Sequence, residues 1–431
     1  MAAAAVLAAA GCSPAASTPT AAASASPPGV AVADCLIQAL CYAPYQFRVA
    51  YGIQPLLDSG IDGRGETVVL LEYAAQPSAS PPAVTDVRQD LGLFDRVFGL
   101  PPALLQVVNS LARSSSPWLA GGEEVEDTEI VHAVAPDARI REVLISDAAR
   151  SSPASMAAAV AAALRLGATQ GAVISFSTSV GEHCFTPAQV DQLNSALQAA
   201  RNQDVTVVNS SGDFGAVSKP CPGAGTASAP VKGVDLLDSD PLTLAAGGTS
   251  LQANPKTGAY ISETAWNTPP VPRGTPNSEA SGGGFSQVFP RPAYQDGIAG
   301  IGSTRGVPDV AADADPRTGM AVAISDGGGY YVLDTASGTS AAAPLWAAVI
   351  ALADQYAGHS LGFVNAGIYR IARSASYHAA FHDITTGTNT VEFPPQTITG
   401  YRAGPGWNPV TGWGSPNAQV LVPLLARYVS P

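Results

Sequence analysis

Short apolar runs separated by longer helical stretches leave this chain few ways to fold. Glu66–Tyr73, Arg139–Ile145, Ala172–Ser177, Val205–Asn209 and Leu242–Ala246 are rich in Val, Leu and Ile and read as buried strands. Gly122–Val134, Ser155–Leu166, Pro187–Arg201 and a stretch from Ser340 to about Tyr356 read as helices. Strand and helix in alternation imply parallel crossover units. The expected fold is therefore α/β, a doubly wound, mainly parallel sheet flanked by helices. Such sheets bind ligands where the loops gather at the carboxyl ends of the strands. The stretch from Asn254 to Arg305 is rich in Gly, Pro and Ser and reads as long surface loops.

The 431 residues, 46% hydrophobic and 13% charged, suffice for a large core. A formal net charge of −13 lacks the basic footprint of a nucleic-acid binder, so no nucleic-acid partner is expected. The N-terminus is a different material. Residues 1–12 form an apolar stretch ending in Ala-Ala-Gly-Cys12, which resembles a bacterial lipoprotein signal with Cys12 as the lipidated residue. Residues 13–32 are a Ser/Thr/Ala/Pro-rich tether, and 33–431 read as one folded domain. Export follows, as a cell-surface lipoprotein or a secreted protein touching membrane only through a lipid anchor. Of five cysteines, Cys12 taken for lipid leaves four, an even number suited to an oxidising compartment. Four cysteines allow three pairings. The tight spacing of Cys35 and Cys41 favours a local bridge, leaving Cys184 with Cys221.

The sharpest chemical signal is Ser337-Gly-Thr-Ser340-Ala-Ala-Ala-Pro344 ahead of an apolar helix. A serine at a helix N-terminus has backbone N–H groups and the positive dipole end beside its hydroxyl, which suits attack on a carbonyl. The bland alternative is an N-cap. A nucleophile needs a base, and none of the five histidines stands in the His-Gly-Thr context of ordinary subtilisins. The acidic run Glu123-Glu-Val-Glu-Asp127 supplies carboxylates instead. On a helix Glu123 and Asp127 share one face, four residues apart, and two close carboxyls hold a proton between them. A carboxylate base suits work in acid. By itself, such a run is more often a solvated face.

Together these segments resemble the sedolisins, or serine-carboxyl peptidases, with a subtilisin-like fold and a Ser-Glu-Asp triad. The likeness runs from Pro44-Tyr-Gln-Phe-Arg to Gly412-Trp-Gly-Ser-Pro-Asn417. It implies Ser340 as nucleophile, Glu123 as base, Asp127 as its supporting acid, and Asp213 of Ser-Ser-Gly-Asp213-Phe-Gly as the oxyanion aspartate. Glu72 matches a carboxylate extending that network. Ser175 and Ser177 stand in the family's Ser-x-Ser-Trp segment, with Thr178 where the aromatic belongs. The run Gly282-Gly283-Gly284 could let a substrate backbone approach as an added strand. The C-terminal segment resembles the family's calcium loop, which implies one Ca²⁺ held by Asp383, the carbonyls of Ile384, Gly404 and Gly406, and position 408. Here the family's Asp is Asn408, which removes a charge and weakens the site. Only the signal-like stretch and tether precede the domain, so the chain is expected to fold without the family's large pro-region or to use a partner. The function implied is acid endoproteolysis of protein or peptide substrates by a monomer. The rival is a non-catalytic cell-surface binding protein on the same scaffold.

Overall fold

Parallel pairing dominates the structure, a computed structural model that describes residues 41–75, 85–178, 180–219, 221–223, 230–268, 279–325, 331–393 and 396–429. The signal-like stretch, Cys12, the tether and Cys35 lie outside these residues, and with them the Cys35–Cys41 pairing. The described residues fall within one unit, Val32–Pro431.

The main sheet contains β1 (Thr67–Tyr73), β2 (Leu104–Val108), β3 (Arg139–Ile145), β4 (Val173–Phe176), β5 (Thr206–Ser210), β6 (Leu244–Ala253), β7 (Tyr260–Ala265) and β8 (Val310–Asp313). Their spatial order is β7-β6-β5-β4-β1-β3-β2, with β8 also paired to β6. All pairings are parallel except β6 with β7. The helices that matter for the site are α1 (Gly122–Val134), α2 (Pro153–Gly167), α3 (Pro187–Arg201) and α4 (Gly338–Ala357).

Strand alternation sorts the two faces. Val69, Leu71 and Tyr73 point into a core with Leu164 of α2 and Leu193 and Leu197 of α3. The intervening residues Val68, Leu70 and Glu72 turn to the other face, where Glu72 meets Asp127 of α1. That face is covered by α4, which is buried from Ala341 to Asp354 and packs on α1, β4 and β5. An apolar helix hydrophobic on every side is what a position at the centre of the fold requires. Among the described residues, no helix is long and apolar enough to cross a membrane.

The loop expectation for Asn254–Arg305 is corrected. This stretch contains β7, a strand at Gly284–Pro290 and another at Thr304–Val307. Only one face of β7 is buried, so its pattern carries too few apolar residues to stand out from the surrounding Gly and Pro.

Candidate active site

The carboxyl ends of β1, β4 and β5 deliver Glu72 and Tyr73, Phe176 with Ser177 and Thr178, and Ser210 to one cavity of about 400 Å³. Glu123, Arg150, Asp213, Lys219 and Ser340 line the same space. A larger cavity of about 720 Å³, lined by Arg201, Tyr294, Phe363 and Arg373 among others, contains none of the candidate residues. Chemistry rather than size therefore picks out the smaller one. None of the five histidines lines it.

Ser337, not Ser340, is the N-cap of α4, which leaves the Ser340 hydroxyl outside the capping role. The Ser337 N–H donates to Glu126 Oε1 at 3.0 Å, fixing the start of α4 to α1. Gly338 has φ +74°, and a Cβ there would meet Asp213 Oδ2 at 3.0 Å. A side chain at this position would be strained in backbone and crowded against the aspartate. Asp213 Oδ1 in turn accepts from the Thr339 N–H at 2.7 Å and the Thr339 hydroxyl at 2.8 Å.

Glu123 accepts a hydrogen bond from Ser340. Solvent reaches Glu123 through the open cleft, yet the surrounding protein strips enough water to push its pKa up to about 7. The nearby charges of Asp213 and Glu124 add to that rise, while the Ser340 bond and Lys219 oppose it. Asp127 is fully buried and raised well above its ordinary value, first by burial and then by the charge of Glu123. Its Oδ2 accepts from Ser177 Oγ at 2.8 Å, and Asp127 is also hydrogen-bonded to Glu72. Neither Asp127 Oδ1 nor Glu72 Oε1 has another donor. Two buried carboxyls in contact, each with one oxygen that no other group serves, are held together by a shared proton. Glu126 is raised as well, by burial and then by Glu123 and Asp127.

The sequence candidates thus divide. Ser340, Glu123, Asp127, Asp213 and Ser177 come together. Ser175 does not: it is fully buried in β4, opposite Leu70, and cannot touch a substrate. Gly282, Gly283 and Gly284 are buried too, and none lines the Ser340 cavity. Gly283 and Gly284 line a separate cavity of about 260 Å³ with Phe285 and Tyr401, and Gly282 and Gly283 also press on the protein's own backbone. A Cβ on Gly282 would lie 1.8 Å from the Ser211 carbonyl, and one on Gly283 2.4 Å from the Pro409 carbonyl. Cys184 and Cys221 form a disulfide, with Cα atoms 5.3 Å apart, next to the cavity residue Pro222.

Sequence reasoning missed Glu126, Arg150 and Lys219, and it expected an aromatic to be lacking. Tyr73 and Phe176 supply aromatic walls, their ring centroids 6.1 Å apart, and Arg150 lies 4.0 Å over the Tyr73 ring. The signal for Tyr73 was its place after Glu72 at the carboxyl end of a strand.

Asp383, Ile384, Gly404, Gly406 and Asn408 also cluster, but not as a cation shell. Asp383 accepts the Gly406 N–H at 3.0 and 3.2 Å from its two oxygens. The Asn408 side chain points its NH₂ group, not its oxygen, toward the Ile384, Gly404 and Gly406 carbonyls. A donor at that focus does not fit the calcium expected there.

The profile of the subtilase family matches residues 118–414. Kumamolisin from Bacillus sp. (strain MN-32) is 32% identical over 394 residues, a match spanning 87% of this chain and 62% of kumamolisin. The solved structure of Pseudomonas sedolisin, titled a serine-carboxyl proteinase, superposes with a TM-score of 0.72 at 26% identity, covering 89% of this chain and 97% of that one. The chain belongs to the subtilases, in their sedolisin group. Its sheet and helices are a subtilisin-like α/β fold. Tripeptidyl-peptidase 1 from Homo sapiens is a further relative, 28% identical over 270 residues, 57% of this chain and 41% of that protein. The chain thus spans less than two thirds of the length of kumamolisin and of tripeptidyl-peptidase 1.

Proposed function

We propose that this sedolisin-group chain is an exported serine-carboxyl endopeptidase active in acid. The observation that carries the proposal is the hydrogen bond from Ser340 to Glu123 inside a cavity at the strand ends, with Asp213 beside it. In this reading Ser340 Oγ attacks the peptide carbonyl carbon as its proton passes to Glu123, which must be ionised to accept it, so the raised pKa of Glu123 sets the lower end of the active pH range. The carbonyl π electrons move onto oxygen. That oxyanion is met by the Ser340 backbone N–H, in the first turn of α4, and by Asp213. Both Thr339 bonds go to Asp213 Oδ1, which leaves Oδ2 as the atom that faces the oxyanion and can donate to it only when it carries a proton. Collapse expels the amine, which takes the proton from Glu123, and an acyl-enzyme remains on Ser340. Water then attacks, again with Glu123 as base, and the acid product leaves. Asp127 and Glu72 keep a proton beside Glu123 and limit the charge that builds up there.

Export agrees with the signal-like N-terminus and with the Cys184–Cys221 disulfide, which persists in oxidising compartments. The test is cleavage of an acid-denatured protein between about pH 3 and 7, with product termini read by mass spectrometry. Internal cuts support an endopeptidase; release of short N-terminal peptides alone would replace that part of the reading. No cleavage by folded protein at any pH would favour the binding-protein reading.

Arg150 and Lys219 bear on substrate choice. Both are exposed cations lining a cavity that also holds the apolar walls Tyr73, Phe176 and Val180 and the carboxyls of Glu72, Glu123 and Asp213. Peptides with Asp or Glu close to the scissile bond are expected to be cleaved about fivefold faster than Lys counterparts near pH 5.5, the worth of one partly exposed ion pair. A peptide library assay on the wild-type chain and Lys219→Glu checks this. The variant should lose or reverse the preference, and an unchanged ranking would remove Lys219 from the specificity site.

A further inference from the structure

We propose that Asn408 closes the C-terminal loop in place of a divalent cation, making the fold independent of calcium. The loop holds the carbonyl oxygens of Ile384, Gly404 and Gly406 around one point. Asn408 Nδ2 lies at that point, 3.3, 3.2 and 3.5 Å from them, and also 3.0 Å from Thr411 Oγ1. Asn408 is itself buried, at 5% exposure, and Thr411 is fully buried.

The other end of the amide fixes its orientation. Asn408 Oδ1 accepts the Val410 N–H at 3.1 Å, the Thr411 N–H at 3.0 Å and the Thr411 hydroxyl at 3.2 Å. Turning the amide over would set its oxygen against three carbonyl oxygens and its NH₂ against two backbone N–H groups. Only the Thr411 hydroxyl would then remain as a partner, and the bonds to three carbonyls and two backbone N–H groups would be lost at buried atoms. The backbone adds a constraint, because Asn408 and Gly412 exchange N–H to carbonyl bonds at 3.2 and 2.9 Å.

An aspartate at the same place has two acceptor oxygens. One can take the Val410 and Thr411 N–H groups while the other faces the carbonyls, an arrangement that calls for a cation between them. Asparagine has a single acceptor, and the turn claims it. Its donor end therefore has to face the carbonyl ring and satisfies part of it from within the chain. A hard cation needs oxygen ligands at ~2.3–2.6 Å. Here the oxygens stand at hydrogen-bond distance from a nitrogen that already fills the focus.

The whole chain, stripped with EDTA near pH 6, is to be titrated with CaCl₂ by calorimetry and melted with EDTA or with calcium. Wild-type protein is expected to give no saturable heat and the same Tm in both. Asn408→Asp should lose stability in EDTA and regain it with calcium, or fold only when calcium is supplied during refolding. Saturable calcium binding by the wild-type chain, with Tm rising as calcium is added, overturns the proposal. So does an Asn408→Asp variant that folds and ignores calcium. The wild-type measurement decides even where the variant yields no soluble protein. Both readouts stand apart from peptidase activity.

Discussion

Ser340→Ala is expected to cut kcat/KM for a denatured protein by on the order of 10⁴- to 10⁶-fold, leaving the melting profile unchanged. The side chain is only partly buried and caps nothing, because Ser337 holds the N-cap of α4. Loss of its hydroxyl removes the attacking oxygen and one hydrogen bond to Glu123. Glu123→Gln should cost a similar factor, since an amide cannot take the proton. The double variant should be no worse than either single one, because groups that act as a unit are not additive. Asp213→Ala removes the side-chain donor to the oxyanion and should lose about 10²- to 10³-fold, the usual worth of one oxyanion donor, whereas Asp213→Asn keeps an acceptor for Thr339 and an NH₂ donor and should lose less. Turnover by Ser340→Ala comparable with wild type would place the nucleophile elsewhere. Inactivity of the wild type itself, with its Tm intact, would leave a binding protein on this scaffold.

The fold was legible because the central strands of its sheet are buried on both faces and its helices carry clear boundaries. Gly122–Val134 and Pro187–Arg201 begin after Gly121 and Thr186, whose backbone N–H groups donate to the side chains of Glu124 and Gln189, and their ends match the sequence reading. The nucleophile helix begins two residues earlier than Ser340, because Gly338 at positive φ starts the turn that presents Asp213 to Thr339. Sequence alone could not place the glycine run 282–284. Glycine that admits a substrate and glycine that admits the protein's own backbone have the same signature. Ser175 misled for a related reason: the two serines of Ser-x-Ser start toward the same face, but Ser175 lies within the strand, buried, while Ser177 stands just past its end, where its bond to Asp127 is a tertiary fact. Arg150 and Lys219 carry no local signal, since their importance comes from where the chain returns to the cavity. Asn408 was legible as a lost charge but not as a reversed hydrogen bond, because the orientation of an amide depends on the N–H groups that close around it.

The second large effect concerns pH and stability, and its sign is opposite to that of most proteins. Glu142, on β3, is 2% exposed with the Thr128 hydroxyl at 2.8 Å, and burial pushes its pKa up from 4.5 to about 7. A carboxyl whose folded pKa is raised binds its proton more tightly when folded. Its contribution is complete below about pH 4.5 and is lost as pH climbs through about 7. For Glu142 alone the swing is about 3 kcal/mol. Asp354, pushed up to about 8 by burial, and the Glu72–Asp127 pair, raised well above the ordinary range, act in the same direction. His382 opposes them. Burial lowers its pKa from 6.5 to about 4, so its contribution stands above 6.5 and fades as pH falls through 4. One histidine against several carboxyls leaves the balance in favour of acid. The Tm of Ser340→Ala, used to prevent self-digestion, should fall by on the order of 5–10 °C between pH 5 and 8. Glu142→Gln keeps a partner for Thr128 and should flatten that slope. A Tm that holds or rises up to pH 8 would show that these carboxyls ionise inside the fold without cost. Burial would then not be what keeps a proton between Asp127 and Glu72, and the acid-active reading would lose its physical basis. A falling Tm would tie stability and chemistry to the same buried protons, because the carboxyls that hold α1 against the sheet are those that tune the base beside Ser340.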